Sequence, residues 1–288
     1  IEESRTEWMQ RVATGQSSRG EGLDKPFAVA ARNGRAYVGD TVGRKVAVFD
    51  LVNKKYLEVG TKGVGRIAKP LGIDVDNNGR IYVVDGTAKR VNVYGPDGEY
   101  LNAIGVQHTF ERPSGVAVNP SGTRVYVVDT GGVGSESHQV HVFDGNGEHL
   151  FDFGGRGTGQ GQFNLPHMIT AGPDGNLYVV DGANFRIQKF SPDGQFLMAF
   201  GAVGRQTGQF SRPKGVAVDR EGRIFVVDAA FGNVQIFDPE GRLLLFIYPT
   251  IVVMLSALVL GKRVSPRELA ALVLTYGGLL LVFAQSVG

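Results

Sequence analysis

The sequence predicts an all-β protein, a ring of small four-stranded sheets forming a β-propeller, followed by an apolar α-helical hairpin. Three observations lead there. One segment recurs five times at a spacing of roughly 45 residues. Each copy breaks into short apolar stretches bounded by Gly, Pro, Asp and Asn. The last 40 or so residues abandon that pattern for two uncharged apolar runs.

The repeat aligns on a proline. The copies are "KPFAVAARNGRAYVGD" from Lys25, "KPLGIDVDNNGRIYVVD" from Lys69, "RPSGVAVNPSGTRVYVVD" from Arg112, "LPHMITAGPDGNLYVVD" from Leu165 and "RPKGVAVDREGRIFVVD" from Arg212. The prolines Pro26, Pro70, Pro113, Pro166 and Pro213 are spaced 44, 43, 53 and 47 apart, and the long interval holds "TGGVGSESH" at 130–138, an expected surface loop. Within a copy, an apolar stretch such as Gly215 to Val218 meets a polar turn. A strand ending in Asp follows, then an alternating strand such as "NVQIFD", then a last stretch such as "GQFLMAF". Four strands per copy, repeated radially, make propeller blades that pack face to face. The 42 glycines among 288 residues fit a chain made largely of turns and short strands.

The stretch "GTGQGQFNLPHMITAGPDGNLYVVDGANFRIQKFSPDGQFLMAFG" (157–201) carries G-x-F-x-x-P, the strand-ending Asp181, Asn184 and Arg186. With it the region from about residue 20 to 247 resembles the NHL repeat propellers of the bacterial six-bladed type. The resemblance implies six blades, and five are recognisable with the last missing. It also implies that the N-terminal stretch, here "TEWMQRVAT" at 6–14 with a strand from Glu7 to Val12, closes the ring. The organisation expected is therefore residues 1–19 as an N-terminal segment, 20–247 as the propeller and 248–288 as a transmembrane helical hairpin.

From Leu243 to Leu260 no residue is charged, and 12 of 18 are Leu, Ile, Val or Phe. As a helix that run spans roughly 27 Å, enough for the hydrocarbon core. A second uncharged run covers residues 269–287, and "SPRE" before it supplies an N-cap, a first-turn proline and a glutamate at the third position. The stretch "YPTIVVMLSALVLGKRVSPRELAALVLTYGGLLLVF" resembles one helix pair of the EamA drug/metabolite transporters. The segment from Pro249 to Val287 is thus expected to enter a membrane. Lys262, Arg263 and Arg267 in its loop place that loop in the cytoplasm and the propeller outside it, periplasmic or at the cell surface. Strand and span compete for the residues from Leu243 to Ile247, as in a composite or truncated chain.

The chemistry-bearing residues favour binding over catalysis. The positions after the repeat prolines, Phe27, Leu71, Ser114, His167 and Lys214, are equivalent by repeat symmetry and differ in chemistry, which suits a variable surface on a shared scaffold. They are the candidate binding residues at the channel mouth, and no catalytic residue is assigned. The NHL-like peptidyl-hydroxyglycine lyases carry Pro-His at this place in three blades to hold zinc. Here His167 alone matches, one ligand where a catalytic zinc takes three, so no metal and no cofactor are expected.

His138 and His141 read as exposed structural sheet residues. Asp40, Asp85, Asp129, Asp181 and Asp228 read as caps on turn amides, with Arg90 and Arg186 as partners in two blades. With no cysteine, disulfides and thiolate sites are excluded. The net charge of +2 falls to zero once the tail is set aside, so a nucleic-acid partner is disfavoured. The expected function is a non-catalytic scaffold for a protein, peptide or glycan, membrane-tethered through the tail. The alternatives are a degenerate metal-dependent lyase or lactonase and a membrane-anchored sensor.

Overall fold

The computed structural model describes residues 23–106 and 110–247. They form five four-stranded antiparallel sheets, each a simple meander of consecutive strands. Blade 1 comprises β1 (Pro26–Arg32), β2 (Arg35–Asp40), β3 (Lys45–Asp50) and β4 (Lys55–Val59). Blade 2 comprises β5 (Pro70–Val75), β6 (Ile81–Asp85), β7 (Arg90–Tyr94) and β8 (Tyr100–Ile104). Blade 3 comprises β9 (Pro113–Val118), β10 (Arg124–Asp129), β11 (Gln139–Asp144) and β12 (His149–Gly154). Blade 4 comprises β13 (Pro166–Ala171), β14 (Leu177–Asp181), β15 (Arg186–Phe190) and β16 (Phe196–Phe200). Blade 5 comprises β17 (Pro213–Val218), β18 (Ile224–Asp228), β19 (Asn233–Phe237) and β20 (Leu243–Ile247).

Local chemistry explains the strand ends. Each inner strand opens on the repeat proline, which has no N–H to offer a ladder and is tolerated at a first strand position. Asn33 and Gly34 join β1 to β2 with both φ values positive, at 51° and 74°, the geometry that lets a two-residue hairpin follow the strand twist.

The core lies between blades. Tyr82 and Val84 of β6 pack with Val116 and Val125 of blade 3. Tyr126 and Val128 of β10 pack with Ile169 and Val179 of blade 4. Tyr178 and Val180 of β14 pack with Val216 and Val226 of blade 5. A second strand buried on both faces explains why these segments read as continuous apolar runs rather than alternating ones.

The inner strands approach most closely. A Cβ on Gly72 would stand 2.8 Å from the Ser114 oxygen and the Gly115 Cα of the next blade, and one on Gly115 would stand 2.9 Å from the His167 oxygen. Met168 packs against both the cluster between blades 1 and 2 and the cluster between blades 4 and 5.

The described residues form five blades where the resemblance implies six. The faces at the two ends of the arc record the difference. Val29 of β1 is 70% exposed, whereas its equivalents Ile73, Val116, Ile169 and Val216 are at most 9% exposed. Val227 of β18 is 43% exposed, whereas Val84, Val128 and Val180 are fully buried. Among the described residues no sheet covers the front of blade 1 or the rear of blade 5. The ring-closing strand from Glu7 to Val12 and the hairpin from Pro249 to Val287 lie outside the described residues. Leu243 to Ile247 are strand, paired with β19, so they complete blade 5. Among the described residues no helix is long and apolar enough to cross a membrane.

Asp74 on β5 tests the packing of the inner strands. Its carboxylate accepts the Val118 N–H of the neighbouring blade and the Val75 N–H, both at 2.8 Å. Burial outweighs those bonds and pushes its pKa up to about 6. A carboxyl whose folded pKa is raised contributes stability below its unfolded value, about 3.9, and that contribution is lost as pH rises through about 6. Asp74 is half-buried, so water relieves part of the penalty. Asp74→Asn gives up one of the two acceptor oxygens at any pH, so the titration shows in the change with pH: relative to the parent chain, the variant is expected to gain about 1 kcal/mol between pH 5 and pH 8, read from urea midpoints. An equal effect at both values would show that Asp74 does not titrate in this range.

Candidate binding face at the channel mouth

The mouth is assembled by the strand-ending aspartates. Asp85 accepts the backbone N–H groups of Ala68, Lys69, Thr87 and Ala88 at 2.7–3.2 Å. Asp40 does the same for Asp24, Lys25, Val42 and Gly43. Asp129 takes Glu111, Arg112 and Gly131, and Asp228 takes Ser211, Arg212 and Ala230. Each carboxylate thus ties the segment before its repeat proline to the end of β2, β6, β10 or β18. The capping expected from sequence is present.

Blade 4 varies the theme. Asp181 accepts Asn164 N–H, and its other bonds come from Asn184, Arg186 and Gln188 side chains at 2.8–3.0 Å. Burial nonetheless holds the Asp181 pKa above the ordinary carboxylate value. Arg186 is therefore the partner expected. Arg90 is not: its Nη2 donates to the Val64 oxygen at 3.3 Å, leaving Asp85 to backbone amides.

The second amide of blade 4, Leu165 N–H, goes instead to His138 Nδ1 at 3.3 Å, while His138 Nε2 lies 3.0 Å from the Gly132 oxygen. His138 and His141 are buried, not exposed as their alternation suggested. The 130–138 loop turns back at its ends. It buries Thr130 and His138 and exposes its tip at Val133.

Of the five predicted mouth residues, three meet. Ser114 Oγ donates to the His167 carbonyl at 2.8 Å and lies 2.7 Å from Thr130 Oγ1. His167 rests over Gly182, where a Cβ would come within 2.5 Å of its Nε2. Burial, then Lys214 and Arg112, lower its pKa to about 4, so the ring is neutral at pH 7. Burial, then Arg212 and Arg112, also lower the Lys214 pKa. Leu71 packs against the cluster between blades 2 and 3, and Phe27 is 59% exposed beside the opening.

Sequence reasoning missed the residues before the prolines. Lys25, Lys69, Arg112 and Arg212 occupy that position in four of the five blades, and all are exposed. Their backbone N–H groups are those held by Asp40, Asp85, Asp129 and Asp228. The signal was in the dipeptides "KP" and "RP" of the alignment. The exposed cations of these segments thus outnumber their exposed carboxylates, Asp24 and Glu111, although the whole chain is nearly neutral.

Two cavities, of about 280 and 390 Å³, lie along blades 2 and 3, and neither is lined by a mouth residue. The mouth thus offers an exposed charged surface. The charged groups that act on His167 are the cations Lys214 and Arg112.

The NHL repeat family matches residues 110–143 and 163–190, within blades 3 and 4. Solved structures share the architecture. Virginiamycin B lyase from Staphylococcus aureus is 13% identical, with a TM-score of 0.58 over 78% of this chain and 70% of that one. A chain of a nidogen–laminin complex is 17% identical, with a TM-score of 0.60 over 78% of this chain and 80% of that one. The gluconolactonase XC5397 from Xanthomonas campestris is 19% identical, with a TM-score of 0.56 over 77% and 74%. At these identities the likeness is one of fold.

Proposed function

We propose that this propeller of NHL repeats is a non-catalytic scaffold that captures an acidic peptide segment of a partner protein on the face of the repeat prolines. The observation that carries the reading is the cationic rim, Lys25, Lys69, Arg112 and Arg212 with Lys214 beside them, around a neutral His167. An anionic side chain there offsets the repulsion that, after burial, depresses the Lys214 and His167 pKa values. Exposed Phe27 adds apolar contact beside the cations, of the kind that peptide side chains use at interfaces. The propeller of the nidogen–laminin complex, a protein–protein assembly, supports the same class of partner by analogy of fold.

The test titrates tag-free chain with a fluorescent glutamate-rich peptide, a sulfated oligosaccharide and single-stranded DNA of matched charge. The peptide is expected to bind most tightly and to weaken with added salt. Arg112→Ala and Lys214→Ala are each expected to weaken it by about 3- to 10-fold, the usual range for charges at an interface edge. Tightest binding to DNA or glycan, or peptide binding indifferent to both substitutions, would refute the assignment.

A further inference from the structure

We propose that blade 3 carries a binding site for a zinc-class divalent ion, formed by His141 Nδ1, His149 Nε2 and the Asp152 carboxylate. The site lies on the outer two strands of the blade, and His141 reaches back toward Asp129. It bears on the expectation of no metal, which rested on the channel mouth and on a structural reading of His141. The three ligating atoms lie within 4.8 Å of one another. Asp152 Oδ1 stands 2.8 Å from His141 Nδ1 and 2.6 Å from His149 Nε2.

Two features of the sheet build this cluster. His141 on β11 is directly opposite Asp152 on β12 in the register. The register then shifts between Val142 and Phe143, so that His149 and Leu150 answer one residue of β11. Residues three apart on a regular strand point to opposite faces. The bulge re-aims His149 to the face of Asp152.

Repeat symmetry shows that the scaffold alone does not produce the cluster. The corresponding residues are Asn92, Ala103 and Tyr100 in blade 2, and Gln188, Ala199 and Phe196 in blade 4. Blade 3 places a ligating side chain at all three positions.

The surroundings suit an ion of this class. Two imidazoles and a carboxylate match zinc, cobalt(II) or nickel(II), and hard cations such as calcium and magnesium favour all-oxygen sites. Ligands held about 2.0–2.2 Å from a tetrahedral ion stand somewhat farther apart than these hydrogen-bonded atoms. His149 and Asp152, with side chains 37% and 34% exposed, can supply that small adjustment. The far nitrogen of buried His141 lies 3.8 Å from Asp129 Oδ2. A carboxylate behind a ligating histidine orients the ring and fixes its tautomer. His149 also lines the cavity of about 390 Å³ with Val106, Phe143 and Glu148. Three protein ligands leave a coordination position for water or a small anion on that side.

The experiment titrates tag-free, metal-stripped full-length chain with zinc by calorimetry and with cobalt(II) by visible absorption. The proposal expects one ion per chain at micromolar or tighter affinity, a cobalt spectrum of low coordination number, and no competition from calcium or magnesium. His149→Ala and Asp152→Asn lie on the exposed side and are expected to leave the fold intact. Each should weaken zinc on the order of 100-fold, while His167→Ala leaves it unchanged. Zinc should also raise the melting temperature of the parent chain and not that of His149→Ala. Absence of saturable zinc binding up to about millimolar concentration, or binding that survives both His149→Ala and Asp152→Asn, would overturn it.

Discussion

Asp85→Ala is expected to destabilise the chain by about 3–5 kcal/mol, among the largest effects of any single substitution here. The side chain is fully buried and accepts four backbone N–H groups, at Ala68, Lys69, Thr87 and Ala88. Alanine removes the acceptor that four donors share and leaves a void where the fully buried carboxylate stood. Asp85→Asn separates geometry from charge. Three of the four bonds end on Oδ1, and Asn keeps an acceptor there, while its amide nitrogen would face the Ala68 N–H. Asn is therefore expected to cost about 1–2 kcal/mol. Equilibrium denaturation of both variants checks the order. Equal costs for Ala and Asn would show that the negative charge, not the pattern of acceptors, holds the segment.

The second large effect comes from a single methyl group. Gly72→Ala is expected to cost about 3 kcal/mol, because its Cβ would meet Ser114 O, Gly115 Cα and Val116 N at 2.8–2.9 Å, all backbone atoms that cannot swing away. The equivalent Gly215→Ala is expected to be neutral or slightly stabilising, since its nearest neighbour is the Val227 side chain at 3.7 Å. The same residue type at the same repeat position thus has opposite expected outcomes. The difference is that blade 3 packs on blade 2, whereas among the described residues no sheet packs on the rear of blade 5. A large loss on Gly215→Ala would mean that another segment covers that face.

These contrasts show what the sequence could carry. Repeated prolines and strand-ending aspartates are local signals with fixed spacing, so five blades and the caps on turn amides were legible from the chain alone. Contacts that depend on register were not. His141, His149 and Asp152 meet through a cross-strand pair and a bulge, and nothing in "HVFDGNGEHLFD" announces the bulge. Arg90 and Arg186 occupy the same repeat position, yet Arg186 reaches its aspartate and Arg90 turns to Val64. The alternation of His138 and His141 suggests exposed sheet positions, whereas the end of the 130–138 loop returns and His138 bonds Leu165. Symmetry pointed to the residues after each proline, while the charge lies chiefly on those before it.

Binding of an acidic peptide to the cationic rim is the central claim, and charge reversal on opposite faces tests it most directly. Arg112→Glu with Lys214→Glu changes the mouth through side chains that carry none of the capping bonds, since Arg112 is held there by its backbone N–H. Arg80→Glu with Arg223→Glu makes an equal change of charge at the turns on the other side, where those residues pair with Asp76 and Asp219. Affinity for the glutamate-rich peptide is measured for both pairs at the same ionic strength. The account predicts a loss of at least about 30-fold for the mouth pair and less than about threefold for the other. Binding abolished by the Arg80 and Arg223 changes but retained by the mouth pair would contradict it.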